Sequence, residues 1–297
     1  MPGLAQRLRR LIGREDFRHN PLKALWRRLV WRTRWGLTQK PWILRFRKDL
    51  RIAVARDGQG ALLYYQGFAE PETEYYLARF LQLGMIFVDI GAHVGTYTLL
   101  AARAVGTQGE VHAFEPNPAV FGLLEENLRI NALRNVVLLR SAVSDQEGER
   151  EFEICSEYTV SSLRKKADLQ PEYGAARKIS RVVRVRCTAL DAYCSARGII
   201  PDLVKIDVEG SELPVFRGAA KLFALPAECA PVWVFEYSPA NCARFGYESV
   251  ELLEFLKQHG YGVWCYEGAD RITPFAPSLL EPRVPNLVAV KEGKRLR

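Results

Sequence analysis

The sequence predicts an α/β domain: a mostly parallel sheet with helices on both faces. Three observations carry that expectation. Apolar, strand-like runs recur at Phe87–Ile90, Glu110–Phe114, Asn135–Val143, Leu203–Ile206 and Val232–Phe235. Segments with helical periodicity, such as Thr96–Arg103 and Asn117–Ile130, alternate with them, as a parallel sheet requires. Four of the strands end in an acid: Asp89, Glu115, Asp207 and Glu236. At 297 residues and 48% apolar content the chain can bury one large core and carry an appendage.

The appendage comes first. Residues 1–49 read as a basic amphipathic helical arm. Residues 1–51 hold 15 Lys/Arg against 3 Asp/Glu, a net of +12 in a chain whose total is +8. Leu4, Leu8, Leu11 and Ile12 fall at helical spacing, and so do Leu22, Leu25, Trp26, Leu29 and Val30. Trp26, Trp31, Trp35 and Trp42 enrich the segment further. Two readings stand. Residues 1–48 meet an anionic membrane surface or an acidic glycan or phosphate partner, or their apolar stripe packs on the following domain. Residues 50–84 are expected to precede the core as a hairpin turning at Asp57-Gly58-Gln59-Gly60, then a helix from about Glu70 to Leu83.

The core is expected over residues 85–297. Its first unit, Phe87-Val-Asp-Ile-Gly-Ala-His-Val-Gly95 followed by Thr96–Arg103, is a strand, a tight glycine turn and a helix start, the order that builds a nucleotide-like cofactor crevice. Gly91 is expected to let backbone approach a ligand, and Gly95 to let helix pack on strand. Asp89 discriminates among cofactors. Pyrophosphate on a bare helix N-terminus would be repelled by a carboxylate there. A cofactor with a cationic amine and a sulfonium would not be, which points to S-adenosylmethionine. Glu115 lies 26 residues beyond Asp89, close to the spacing at which an acid accepts from both ribose hydroxyls.

The third strand, Asn135–Val143, delivers Asp145 beside these loops. Asp145 either accepts from an adenine amino group or caps the turn to Gly148. From 149 to 186 plain alternation stops. Strand-like ends flank a polar middle with Thr159-Val-Ser-Ser-Leu163 and Arg164-Lys-Lys166, an insertion placed to select an acceptor. Pro201-Asp-Leu-Val-Lys-Ile-Asp-Val-Glu-Gly-Ser-Glu212 ends in three acids. Glu212 suits a helix start, whereas Asp207 and Glu209 crowd a strand end, where carboxylates need a cation, a proton or hydroxyl donors. Glu236 closes the fifth strand. Tyr261–Tyr266 and Asn286–Val290 form a terminal pair after a helix at Glu248–His259.

In these words the chain resembles the FkbM-type methyltransferases: VDIGAHVGTYTLLAAR, HAFEPNPAVFGLLEENL, SAVSDQEG, Ser161-Ser-Leu163, DLVKIDVEGSELPVFRG, VFEYSP and PNLVAV, in order from about Gly67 to Val290. The resemblance implies a class I methyltransferase, Rossmann-like fold with a seven-stranded sheet and a terminal antiparallel hairpin. It also implies methyl transfer from S-adenosylmethionine to a hydroxyl of a sugar, glycan or other natural product. By that likeness Asp89, Gly91 and Gly95 line the methionine end, Glu115 the ribose, and Asp207 the methyl-transfer site; His93 stands where many members carry Asn. The expected chemistry is in-line displacement, with Asp207 first as proton acceptor, Glu209 and Glu236 behind it, and His93 in reserve. Hard oxygen ligands at Asp207, Glu209 and Glu236 would suit Mg²⁺, yet no metal is assigned.

Composition narrows the alternatives. Cys155, Cys187, Cys194, Cys229, Cys242 and Cys265 form no C-x-x-C pair, which argues against zinc and against a disulfide framework and favours a reduced, cytoplasmic compartment. No run reaches membrane-spanning length, so any membrane contact is peripheral. A nicotinamide oxidoreductase would want G-x-G-x-x-G and no Asp89. A nucleic-acid methyltransferase would use the basic arm, but an amino-methylating one would end the fourth strand in Asn/Asp-Pro-Pro-aromatic, where this chain has Ile-Asp-Val-Glu. A non-catalytic anchoring protein is the remaining class.

Overall fold

The computed structural model describes residues 15–47, 49–68, 70–155, 161–163, 179–266, 271–277 and 286–294. Leu4, Leu8, Leu11, Ile12, Thr159, Val160 and Arg164-Lys-Lys166 fall outside them. The chain divides into two compact units, Met1–Pro71 and Glu72–Arg297.

In the first unit α1 (Glu15–His19) precedes α2 (Pro21–Leu37). Asn20 caps α2 by accepting from Lys23 N at 2.9 Å, and Pro21 occupies the first turn, where its missing N–H costs nothing. The hairpin is β1 (Trp42–Phe46) against β2 (Leu50–Val54), so it turns ten residues before the expected Asp57–Gly60. Asp57 instead caps α3 (Gly58–Gln66), accepting from Gly60 N at 2.6 Å. An acid followed by small residues serves a turn or a helix start equally well; the apolar Leu62–Tyr65 stretch decides for the helix. Trp31 meets Trp35 edge-on at 5.5 Å and stacks on Tyr64 at 5.6 Å, and Trp42 lies 4.6 Å from Tyr64. Three of the four tryptophans therefore build this unit's aromatic core. Arg28 spans Asp16 at 2.7 Å and the Tyr65 ring at 4.6 Å.

The second unit takes up α4 (Pro71–Phe80) from Glu72 on and continues β3 (Ile86–Ile90), α5 (Thr96–Val105), β4 (Glu110–Phe114), α6 (Pro118–Ile130) and β5 (Val136–Leu139). The predicted third strand breaks at Arg140. Its second half, β6 (Ser141–Val143), joins a separate four-stranded sheet with β7 (Gly148–Cys155), β8 (Ser162–Leu163) and β9 (Ile179–Thr188), in order β6-β9-β7-β8. Ala142, Phe152, Ile154, Val185 and Cys187 give that sheet a small core of its own. The chain returns through α7 (Leu190–Arg197), β10 (Leu203–Ile206), α8 (Glu212–Arg217), α9 (Ala220–Phe223), β11 (Val232–Glu236), α10 (Pro239–Arg244), α11 (Ser249–Gln258), β12 (Tyr261–Tyr266), β13 (Ile272–Pro274) and β14 (Asn286–Lys291).

The large sheet runs β13-β12-β14-β11-β10-β3-β4-β5. Strands β5, β4, β3, β10 and β11 are parallel, and β14 pairs antiparallel with both β11 and β12. The expected parallel sheet and terminal hairpin are thus present, with eight strands rather than seven because Ile272–Pro274 adds an edge to β12. Alternate strand residues feed two cores. Val88, Ile90, Val204, Ile206, Trp233 and Phe235 pack with Leu213 and Phe216 of α8 and Leu252 and Leu256 of α11. Phe87, Val111, Leu203, Val232 and Val234 pack with Leu77 of α4 and Ala101, Ala102 and Val105 of α5. This two-sided burial is why the strands read as continuous apolar runs. Each such side chain contributes about 1.5–3 kcal/mol when fully buried.

Candidate functional site

Parallel sheets bind ligands outside the carboxyl ends of their strands, where the chain order reverses. Here the reversal falls between β3 and β10, whose neighbours are β4 and β11. Register aligns the four ends: Ile90 lies opposite Phe114 and Ile206, and Ile206 opposite Phe235. Consequently Asp89, Glu115, Asp207 and Glu236, one at each strand's end, come to one edge of the sheet.

The loop after β3 is held from both sides. Gly91 N and Ala92 N each donate to Phe114 O at 3.0 Å, and Asp207 N donates to Ile90 O at 3.0 Å. Gly91 sits at φ +80°, and a Cβ there would overlap the Asp207 carbonyl oxygen. This glycine therefore admits the close approach of the backbone that follows β10. Gly95, at φ +90°, starts α5, and a Cβ there would come 2.5 Å from Leu124 Cδ1 of α6. The close packing expected of Gly95 was against the strand; the neighbour here is instead the Leu124 side chain of α6.

Asp89 is fully buried. Its Oδ2 accepts from Thr98 Oγ1 at 2.6 Å, while Oδ1 has no hydrogen bond and lies 3.9 Å from Lys205 Nζ. Burial raises its pKa, with Lys205 opposing. Lys205 is itself buried, 3.2 Å from Asp207 Oδ2 and 4.8 Å above the Tyr97 ring. Cross-strand register sets Lys205 beside Asp89, and the two-residue strand period puts it on the same face as Asp207. One ammonium thus bridges two of the strand-end acids. Sequence analysis missed it, although a lysine inside Leu-Val-Lys-Ile two residues before an acid was the available signal.

Glu115 is buried and closes the two loops on each other. Its Oε2 accepts from His93 N at 2.8 Å and its Oε1 from Asn117 N at 2.7 Å. Burial pushes its pKa up to about 7. Each oxygen keeps a lone pair for a further donor. His93 adopts φ +51°, and neither ring nitrogen has a hydrogen-bond partner. Burial lowers its pKa to about 4, so the ring is neutral at ordinary pH. Thr96 Oγ1 and Asn117 Nδ2 are also buried without partners. Unpartnered polar atoms of both kinds, donor and acceptor, therefore cluster on the two loops.

Across the switch point, Asp207, Glu209 and Glu236 each place a carboxylate oxygen within 4.8 Å of the others. The Asp207 side chain is 32% exposed. Asn241 Nδ2, on α10, donates to Glu209 Oε2 and to Glu236 Oε2, each at 3.1 Å. Burial first, then Asp207, Glu209 and Glu212, push the Glu236 pKa to about 9. Glu236 therefore holds its proton well above the usual carboxylate range. Arg244 donates to the Glu209 carbonyl. Glu212 opens α8, the helix start expected of it, and is buried there; it accepts from Gly210 N at 3.1 Å and Tyr247 Oη at 3.3 Å, and its pKa rises to about 7. Asn241 and Arg244 on α10, and Tyr247 just beyond it, were not singled out from sequence, because isolated polar residues after a strand carry no periodic signal.

Asp145 is exposed, and its Oδ1 accepts from Ser144 Oγ at 3.1 Å. It follows β6, so it leaves from the small sheet rather than from the third strand of the large one. All six cysteines are free. No helix among the described residues is long and apolar enough to cross a membrane.

Comparison with known proteins gives a family model described as the methyltransferase FkbM domain, matching residues 89–263. The hexuronic acid methyltransferase AglP of Haloferax volcanii is 29% identical over 136 residues, covering 44% of this chain and 48% of that protein. Methyltransferase sdnD of Sordaria araneosa is 28% identical over 155 residues, covering 44% of this chain and 59% of that protein. The chain thus spans about half the length of the curated relatives it matches. Among solved structures, a precorrin-6y C5,15-methyltransferase from Geobacter metallireducens GS-15 aligns over 76% of this chain and 92% of its own, at 18% identity and a TM-score of 0.41.

Proposed function

Because this chain belongs to the FkbM methyltransferase family, we propose that it methylates a hydroxyl oxygen on a sugar, glycan or other natural product. The methyl donor is S-adenosylmethionine, which when bound supplies a methyl group already activated on a sulfonium. The single observation that carries the reading is the gathering of Asp89, Glu115, Asp207 and Glu236 at the ends of four adjacent strands. The buried polar atoms left unpartnered on the β3 and β4 loops fit such a donor. Asp89 Oδ1 and the spare lone pairs of Glu115 would accept from an amine and from ribose hydroxyls, and Thr96 Oγ1 and Asn117 Nδ2 would complete the cradle. Asp145 Oδ2 is the acceptor offered to an adenine amino group.

Asp207 does the work on the acceptor side. Its carboxylate is open to solvent while Lys205 fixes its direction, so it orients the acceptor hydroxyl and takes its proton. Glu236 in its protonated form and the Asn241 amide hold the pocket's polar lining without adding a second negative charge beside it. No metal is assigned to the trio. A hexuronic acid methyltransferase among the relatives supports a sugar acceptor.

The test is transfer of a labelled methyl group to a panel of free sugars, hexuronic acids among them, with Asp207→Asn alongside. Turnover is expected to fall about 10²–10⁴-fold while donor affinity is kept. Undiminished turnover in that variant would remove Asp207 from its role.

A further inference from the structure

We infer that α2 carries a docking face for an anionic lipid surface. Leu22, Leu25, Trp26 and Leu29 fall at i, i+3, i+4 and i+7 and are 79%, 51%, 65% and 56% exposed. The opposite face, Ala24, Trp31 and Trp35, is buried in the unit's aromatic core. The helix is therefore apolar on two sides, and core packing accounts for only one of them. All four of these side chains stand in solvent.

Charge selects the occupant. Exposed Lys23 and Arg32 flank the stripe, in a segment that carries a net +12 over residues 1–51. A second copy of this chain would bring the same positive charge. Four side chains on one helix also fall well short of the roughly 800 Å² per partner that a stable protein interface buries. A nucleic acid would satisfy the cations but offer no apolar medium for three leucines. A bilayer surface with acidic headgroups satisfies both: leucines enter the acyl boundary, Trp26 sits at headgroup level, and the cations meet the headgroups. This face does not depend on the reaction proposed for the strand-end acids.

The experiment is flotation of the full chain with vesicles of phosphatidylcholine mixed with phosphatidylglycerol, and with phosphatidylcholine alone. The wild type is expected to float with the mixed vesicles and to be released by salt. A Leu25→Ser/Trp26→Ser/Leu29→Ser variant, altered only at exposed positions, should lose about tenfold or more in partitioning with its Tm unchanged. A Lys23→Glu/Arg32→Glu variant should weaken binding to the mixed vesicles. Absence of flotation, or flotation untouched by the serine substitutions, overturns the proposal. So does a dimer in sedimentation velocity that those substitutions dissolve, since the stripe would then belong to a second copy. A shared loss of donor binding would mark the serine variant as misfolded; brominated lipid then decides, because it should quench tryptophan emission in the wild type and quench less in Trp26→Ser, and equal quenching in the two overturns the proposal.

Discussion

Lys205 is the residue on which the site turns. A buried ammonium 3.9 Å from Asp89 and 3.2 Å from Asp207 compensates a charge that Asp89 could not carry alone in the interior, and it ties that charge to the part-exposed Asp207. Removing one member of such a group leaves an uncompensated charge, which costs about 3–5 kcal/mol. Lys205→Met should therefore lower stability by that order and abolish most turnover. Adding Asp89→Asn to it removes a carboxylate that no longer has a counter-charge, so the double variant should be more stable than the sum of the single losses predicts. A cycle measured by urea denaturation gives the coupling. Additive losses, within a few tenths of a kcal/mol, would mean that the two side chains do not sense each other. At this scale the strand-end acids were legible because an acid closing an apolar run is conspicuous. Lys205 was not, since one lysine among apolar neighbours looks like an edge-strand charge until the register shows what lies beside it. Nor were Asn241 and Thr98, whose partners come from other parts of the chain.

Among elements, the turn after β3 is the one with least freedom. Gly91 combines a left-handed backbone with the carbonyl of Asp207 where a side chain would begin. Gly91→Ala must bear the conformational cost and also push β10 from β3, an effect on the order of 2 kcal/mol or more. Because the displaced carbonyl belongs to Asp207, turnover should fall with stability. Gly122→Ala, on α6 with nothing within 4 Å of the added carbon, is the matched control and should leave both intact. A Gly91→Ala protein with wild-type Tm would show that the two strands part easily. The alternation of strand and helix was readable over β3, β4, β10 and β11 because burial on both faces leaves uninterrupted apolar runs. It failed at Asn135–Val143, where one apolar stretch serves two sheets. Composition cannot show that Arg140 ends the first and Ser141 enters the second. The hairpin of residues 42–54 was misplaced for a related reason: an acid-glycine word was given to a turn when a helix start used it. The sheet made by residues 141–188 was hidden because β9 pairs with β6 and β7 across long separations in sequence.

The pH dependence of the whole molecule follows from how its titrating groups are divided. Burial raises Glu115 and Glu212 to about 7 and Glu236 to about 9, each from 4.5. Their folded state binds protons more tightly than the unfolded chain, so their contribution is complete below about pH 4.5. It is withdrawn as pH climbs through about 7 and then about 9. His93 runs the other way. Held at about 4 against 6.5 unfolded, it contributes fully above about pH 6.5 and loses that contribution as pH falls through about 4. Stability should therefore peak in mildly acid solution and decline on the alkaline side. The net charge predicts the opposite. With +8 at pH 7 and an isoelectric point near 9.2, raising the pH towards 9 discharges the molecule and relieves self-repulsion. A fall in Tm between pH 7 and 9 must then come from the acids at the sheet edge rather than from the surface. Glu236→Gln isolates the contribution, since an amide cannot ionise there while Asn241 still has an oxygen to donate to. The wild type should lose Tm across that interval and the variant should hold or gain. Parallel curves for the two proteins would show that Glu236 titrates no differently in the fold than in the open chain, and the crowding of carboxylates at the strand ends would lose its energetic meaning.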